Sequence, residues 1–173
     1  MDQRTLNGEL IARARAFAVA AHGDQRYGAS PYVVHLQAVA QHVELYGSEP
    51  VIIAYLHDVV EDTPVELADI EREFGASIAR CVALLTDEPG ANRRERKQKT
   101  HAKLARVSSA AELPALIVKA ADRLANLEAC RVDGNLGLTR MYRDEHAAFR
   151  HAVFRPALCD PLWQAIELLV ARR

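Results

Sequence analysis

Apolar residues recur at three- and four-residue intervals along almost the whole chain, a period that predicts helices. Leu6 to Ala21 carries such a stripe, and Gly23 just beyond it supplies a stop. Pro31 opens a second helix, expected to run through Tyr46 and stop at Gly47. Glu49-Pro50 starts a third, which Thr63-Pro64 closes. Leu67 to Phe74 is short and ends at Gly75, and Ser77 to Thr86 follows with Ile78, Cys81, Val82 and Leu85 on one face. Asp87-Glu-Pro-Gly90 predicts a turn. A polar helix is expected from Asn92 to Val107, a long one from Glu112 to about Val132, and two more over Leu138 to Val153 and Leu158 to Ala171. No stretch alternates as a strand does, no repeat is visible, and no linker divides the chain. Short connections between amphipathic helices predict an all-α fold, a compact helical bundle forming one domain over residues 1–173.

Charges break this pattern in a few places, and those places carry the chemistry. His57 and Asp58 interrupt the apolar run Val51-Ile-Ile-Ala-Tyr-Leu-His-Asp-Val-Val60. An unpaired buried carboxylate costs several kcal/mol unless a partner ion or a metal compensates it. Glu61 and Asp62 follow at once. On a continuous helix His57, Asp58, Glu61 and Asp62 project at about 0°, 100°, 40° and 140°, a single arc. Two carboxylates ~5 Å apart repel by ~3 kcal/mol at an effective dielectric of about 20, so three crowded acids call for a cation. His35 and Asp122 are likewise set among core-type residues, in Tyr32-Val-Val-His-Leu and Ala120-Ala-Asp-Arg-Leu. His35, His57, Asp58 and Asp122 together offer two imidazoles and two carboxylates from three helices, a donor set for Mn²⁺, Fe²⁺ or Zn²⁺ with positions left for water. His22, His42, His101, His146 and His151 read as ordinary surface or core histidines.

Composition narrows the choice without changing it. A chain of 173 residues, half of them hydrophobic and 26% charged, is an ordinary globular one. A net charge of −1 provides no general field for nucleic acid or anionic membrane. The first residues lack the apolar stretch of a signal peptide and no run approaches a membrane span, so the expected compartment is the cytoplasm. Three widely spaced cysteines, Cys81, Cys130 and Cys159, are expected to be reduced packing residues. Arg93-Arg-Glu-Arg-Lys-Gln-Lys99, with Lys103, is either a solvated helix face or a rail for substrate phosphates, with Lys97 its best candidate.

The order His…His-Asp…Asp resembles the HD superfamily of metal-dependent phosphohydrolases. The closer resemblance is to the hydrolase domain of RelA/SpoT-type proteins and the small alarmone hydrolases. It rests on His22-Gly-Asp-Gln-Arg26, Pro31-Tyr-Val-Val-His35, Leu56-His-Asp-Val-Val-Glu-Asp-Thr63, Ile70-Glu-Arg-Glu-Phe-Gly75 and Val118-Lys-Ala-Ala-Asp-Arg-Leu-Ala-Asn126. The resemblance implies a bundle of the HD type and one divalent metal, Mn²⁺, held by His35, His57, Asp58 and Asp122. It implies that Glu61 and Asp62 orient and deprotonate the attacking water, and that Asn126 contacts the nucleotide. Arg26 and Lys97 are expected to neutralise phosphates, and Tyr142 and Arg143 are candidates to close over the nucleotide. The chain departs from the family pattern at Arg26-Tyr27 in place of Arg-Lys, at Leu36 in place of Pro, and at Ala129 in place of a hydroxyl residue. The implied activity is removal of the 3′-pyrophosphate from a (p)ppGpp-type nucleotide, guanine or adenine. Two other readings remain open: an HD phosphatase acting on a nucleoside monophosphate or the 2′-phosphate of NADPH, and a non-catalytic nucleotide sensor. The expected partner is a small-molecule nucleotide, without nucleic acid or membrane.

Overall fold

The computed structural model describes residues 2–171. The helices run α1 (Gln3–His22), α2 (Tyr32–Val43), α3 (Ser48–Leu56), α4 (Val59–Asp62), α5 (Leu67–Phe74), α6 (Ala76–Leu85), α7 (Arg93–Ala105), α8 (Leu113–Val132), α9 (Leu136–Val153) and α10 (Asp160–Ala171). The all-α expectation holds, and most boundaries lie within one to three residues of those the sequence predicts. α1 begins earlier than the apolar stripe because Asp2 caps it, its carboxylate accepting the Thr5 N–H at 2.8 Å. Asn92 caps α7 and Asn135 caps α9 in the same way. Gly23, with φ 50°, takes the left-handed turn that ends α1.

Three local features differ from the sequence expectation. The second helix is shorter, since a 3-10 turn at Glu44–Tyr46 replaces its last turn before Gly47. A two-rung antiparallel ladder, β1 (Arg26–Tyr27) and β2 (Ser30–Pro31), lies where no strand was expected. Two residues per strand are too few to show alternation, and Gly28 at φ 59° makes the reversal. The third helix is not continuous. It breaks at His57 and Asp58, where Asp58 adopts φ −102° and ψ −5°, so the four site residues do not share one regular arc. That backbone region is sparsely populated and recurs at active sites.

α2, α3 and α8 pack against one another at the centre, with α1 against α3 and α6 against both α3 and α8. Every residue of α3 from Pro50 to Leu56 is buried, as a helix enclosed on all sides requires. Each such Ile or Leu contributes about 1.5–3 kcal/mol over the exposed side chain. α9 and α10 close one flank with Phe149 against Trp163, ring centroids 5.5 Å apart. The cysteines are free and buried. Among the described residues no helix is long and apolar enough to cross a membrane. The central packing of α2, α3 and α8 positions the site, because each presents one end of its polar insertion to the same point.

Candidate functional site

His35 from α2, His57 and Asp58 from the α3–α4 junction and Asp122 from α8 converge. His35 Nε2 lies 3.7 Å from Asp58 Oδ2 and 3.4 Å from Asp122 Oδ1. His57 Nε2 lies 3.1 Å from Asp58 Oδ2 and 3.8 Å from Asp122 Oδ1. One donor atom each from His35, His57 and Asp58 falls within 4.8 Å of the others, and Asp122 stands outside that tightest trio on the imidazole side. Both histidines are buried.

These donors fit a divalent ion. His57 Nδ1 donates to the Ala54 carbonyl at 2.7 Å, which directs Nε2 and its lone pair at the carboxylates. Nε2 is buried and meets no hydrogen-bond partner of proper geometry. Something positive belongs there. Burial opposes a charged imidazole, yet Asp58 and Asp122 override it and push His57 up to about 10, so a proton takes the place of the ion when none is present. Burial likewise opposes ionisation of Asp58 and Asp122. His57 prevails at Asp58, and Lys119 with the imidazoles prevails at Asp122, holding both carboxyls below the usual range.

The flanking acids are held separately. The Tyr32 hydroxyl lies 2.7 Å from Asp58 Oδ2 and 2.6 Å from Asp62 Oδ2, sharing its proton between them. Its ring stacks on His22 at 4.2 Å between centroids, and His22 in turn meets Gln25 Oε1 through Nδ1 at 2.8 Å. Glu61 Oε2 accepts the Asp87 N–H at 3.0 Å. Surrounding protein pushes the Glu61 carboxyl up, and the Asp87 N–H opposes that shift, although Glu61 itself is open to solvent at the mouth of the site. Asp87 also binds the Lys97 ammonium, at 2.7 Å from Oδ2.

The remaining candidates divide. Asn126 joins the cluster, its amide donating to Asp122 Oδ1 at 2.6 Å and its carbonyl accepting from the Tyr27 hydroxyl. Tyr142 lies on the same side, half-buried beneath the Arg123 guanidinium at 4.6 Å; burial and then Asp122 push its phenol up to about 12. Lys97 is near but neutralised by Asp87. Arg26 is exposed on β1 and donates to the Ala29 carbonyl of its own hairpin. Arg143 is not brought to the cluster. It lines a cavity with Leu127, Cys130 and Leu169, because α9 turns adjacent residues about 100° apart and only Tyr142 faces Asp122.

Four residues without an assigned role also belong to the arrangement: Tyr27, Tyr32, Asp87 and Lys119. Tyr27 stacks on His35 with centroids 4.5 Å apart. Lys119 Nζ lies 3.5 Å from Asp122 Oδ2. Lys119 could have been found by the signal that marked Asp122, a charge set into the apolar stripe of α8. Tyr32 and Asp87 carry no such signal, since an aromatic opening a core helix and an acid in a turn are ordinary. With neutral imidazoles, the carboxylates of Asp58, Glu61, Asp62, Asp87 and Asp122 face the ammonium groups of Lys97 and Lys119, leaving three negative charges. One divalent ion nearly balances them.

Comparison with known proteins places this arrangement. The HD domain family matches residues 13–149. The guanosine-3′,5′-bis(diphosphate) 3′-pyrophosphohydrolase MESH1 of Drosophila melanogaster is 34% identical over 121 residues, 68% of this chain and 65% of its own length. Its Danio rerio counterpart is 38% identical over 120 residues, 64% of this chain and 63% of its own. A probable pyrophosphohydrolase of the same name from Synechocystis is 34% identical over 132 residues, 73% of this chain but 17% of that protein. The chain thus spans just under two thirds of these MESH1 relatives and a small part of the Synechocystis protein. The solved structure of a metazoan ortholog of SpoT superposes with a TM-score of 0.78 over 92% of this chain and 93% of that one, at 23% identity, which establishes the common fold. The family match, the relatives and the ordered His35, His57-Asp58 and Asp122 agree: the chain belongs to the HD domain family.

Proposed function

We propose that this chain is a divalent-metal-dependent 3′-pyrophosphohydrolase of (p)ppGpp-type alarmone nucleotides, acting as one catalytic domain over residues 1–173. The observation that carries the proposal is the cage of His35, His57, Asp58 and Asp122 with Glu61 and Asp62 at its mouth. The names carried by the MESH1 relatives supply the substrate class. The four cage residues would hold the ion, taken as Mn²⁺ from the family resemblance, which supplies Lewis acidity toward a phosphoryl oxygen and acidifies water.

The chain's own residues do the rest. Glu61 accepts the proton of the attacking water at Oε1, since Oε2 already holds the Asp87 N–H. The surrounding protein raises its affinity for protons, the direction that favours a general base. Asp62, held by the Tyr32 hydroxyl, orients that water in line with the bond to be broken. The water oxygen bonds to the phosphorus attached to the sugar 3′-oxygen, the P–O3′ bond breaks, and the 3′-oxygen takes a proton. Pyrophosphate leaves intact with a nucleoside 5′-diphosphate. Arg26, exposed on β1, would leave the Ala29 carbonyl to meet a phosphate, Lys97 becomes a second such cation when substrate draws it from Asp87, and Tyr142 walls the nucleotide side. Asn126 reads the nucleotide only by exchanging the Tyr27 hydroxyl for substrate. The proposal is tested by incubating Mn²⁺-loaded protein with guanine and adenine alarmones and resolving the products; intact pyrophosphate is expected.

A further inference from the structure

We propose that Lys119 is a built-in counter-ion of the metal cage, a positioning residue that orients Asp122 and holds down the cage's affinity for its ion. This rests on the metal-cage reading of the site and not on the identity of the substrate. Lys119 comes one helical turn before Asp122, and its side chain is 11% exposed. An ammonium at that depth is costly to desolvate unless acids surround it. They do. Its Nζ lies 3.5 Å from Asp122 Oδ2, with the carboxylates of Asp58, Asp87 and Glu61 as its further charged neighbours.

Asp122 is therefore divided between two tasks. Oδ2 faces Lys119, while Oδ1 faces both imidazole nitrogens and accepts from Asn126. The lysine fixes which oxygen is presented to the cage. The same charge repels a divalent ion and satisfies Asp122 when no ion is bound. Removing it leaves the cage one charge more negative and frees Oδ2 as a second donor. Both changes tighten metal binding and make the fold lean more heavily on the metal.

The test compares wild type, K119M and K119R by Mn²⁺ titration calorimetry and by melting with and without Mn²⁺. K119M keeps the length of the side chain and loses its charge. It is expected to bind Mn²⁺ at least about tenfold more tightly, because a unit charge several ångströms from a divalent ion exceeds that effect even at an effective dielectric of about 20. Its metal-free Tm should fall and its Mn²⁺-induced rise in Tm should exceed that of wild type, with K119R close to wild type in both. Unchanged or weaker Mn²⁺ binding by K119M, or K119R behaving like K119M, would overturn the inference. A K119M chain that folds only with Mn²⁺ supports it, since the ion then supplies the missing charge. One that stays unfolded with Mn²⁺ overturns it, because Lys119 would then be a packing residue. Wild type that binds no Mn²⁺ would overturn the cage reading itself, whereas a failed alarmone assay touches neither result.

Discussion

His57 Nε2 and Asp58 Oδ2 lie 3.1 Å apart although the residues are neighbours in sequence, because the backbone leaves the helix at Asp58. A side chain on a regular helix points about 100° away from the next, and the break at Asp58 changes that angle where the two side chains converge. The pair makes the site sensitive to pH in a definite direction. In the metal-free protein His57 is raised from 6.5 to about 10, so its contribution to stability is whole below about pH 6.5 and is lost as pH rises through about 10. Asp58 is lowered from 3.8, so its contribution is whole above that value and is lost as pH falls through the folded-state value. Mn²⁺ must displace the His57 proton. Calorimetric affinity is expected to rise roughly tenfold per pH unit between about pH 6.5 and 9, with one proton released per ion. A pH-independent affinity would contradict the His57 assignment.

Asp122→Ala should lose the metal and remain helical, since Asp122 is one donor among four and α8 is anchored by Leu116, Val118, Ala121 and Leu124. Chelation should lower the Tm of wild type and leave that of the variant unmoved. An ion present at about a hundred times its Kd contributes about 2.7 kcal/mol to folding. Equal metal content in the two proteins would remove Asp122 from the cage.

Glu61→Gln preserves size and the acceptor for the Asp87 N–H while removing the base. Metal content is expected to match wild type, with kcat lower by ~10²–10⁴. Loss of the metal in this variant would make Glu61 a ligand.

Tyr32→Phe keeps the ring stacked on His22 and deletes only the hydroxyl between Asp58 and Asp62. A hydrogen bond to a charged group contributes roughly 1.5–3 kcal/mol, so kcat should fall about tenfold or more with KM and metal content little changed. Steady-state kinetics beside metal analysis decides it. An unaltered kcat would mean that Asp62 needs no holding.

The sequence made the helices and the cage legible because both are written in contrast: charge against an apolar period. His35, His57, Asp58 and Asp122 each interrupt a buried stripe, and the structure brings all four together. What was not legible depends on contacts between distant segments. Lys97 read as a free cation, yet its partner Asp87 lies in a turn whose folding against α7 has no periodic signature. Asn126 read as open to a nucleotide, yet Tyr27, 99 positions away, already holds it. The break at His57-Asp58 also left no mark, since Val59 and Val60 continue the apolar run.

The central claim, a metal-dependent attack at the phosphorus on the 3′-oxygen, is tested most directly by the product. Mn²⁺-loaded protein incubated with ppGpp or its adenine counterpart should release intact pyrophosphate, chelator should abolish that release, and Glu61→Gln should slow it by the factor given above. Cleavage of neither alarmone, together with orthophosphate from a nucleoside monophosphate or from NADPH, would contradict the account and make the chain a phosphatase.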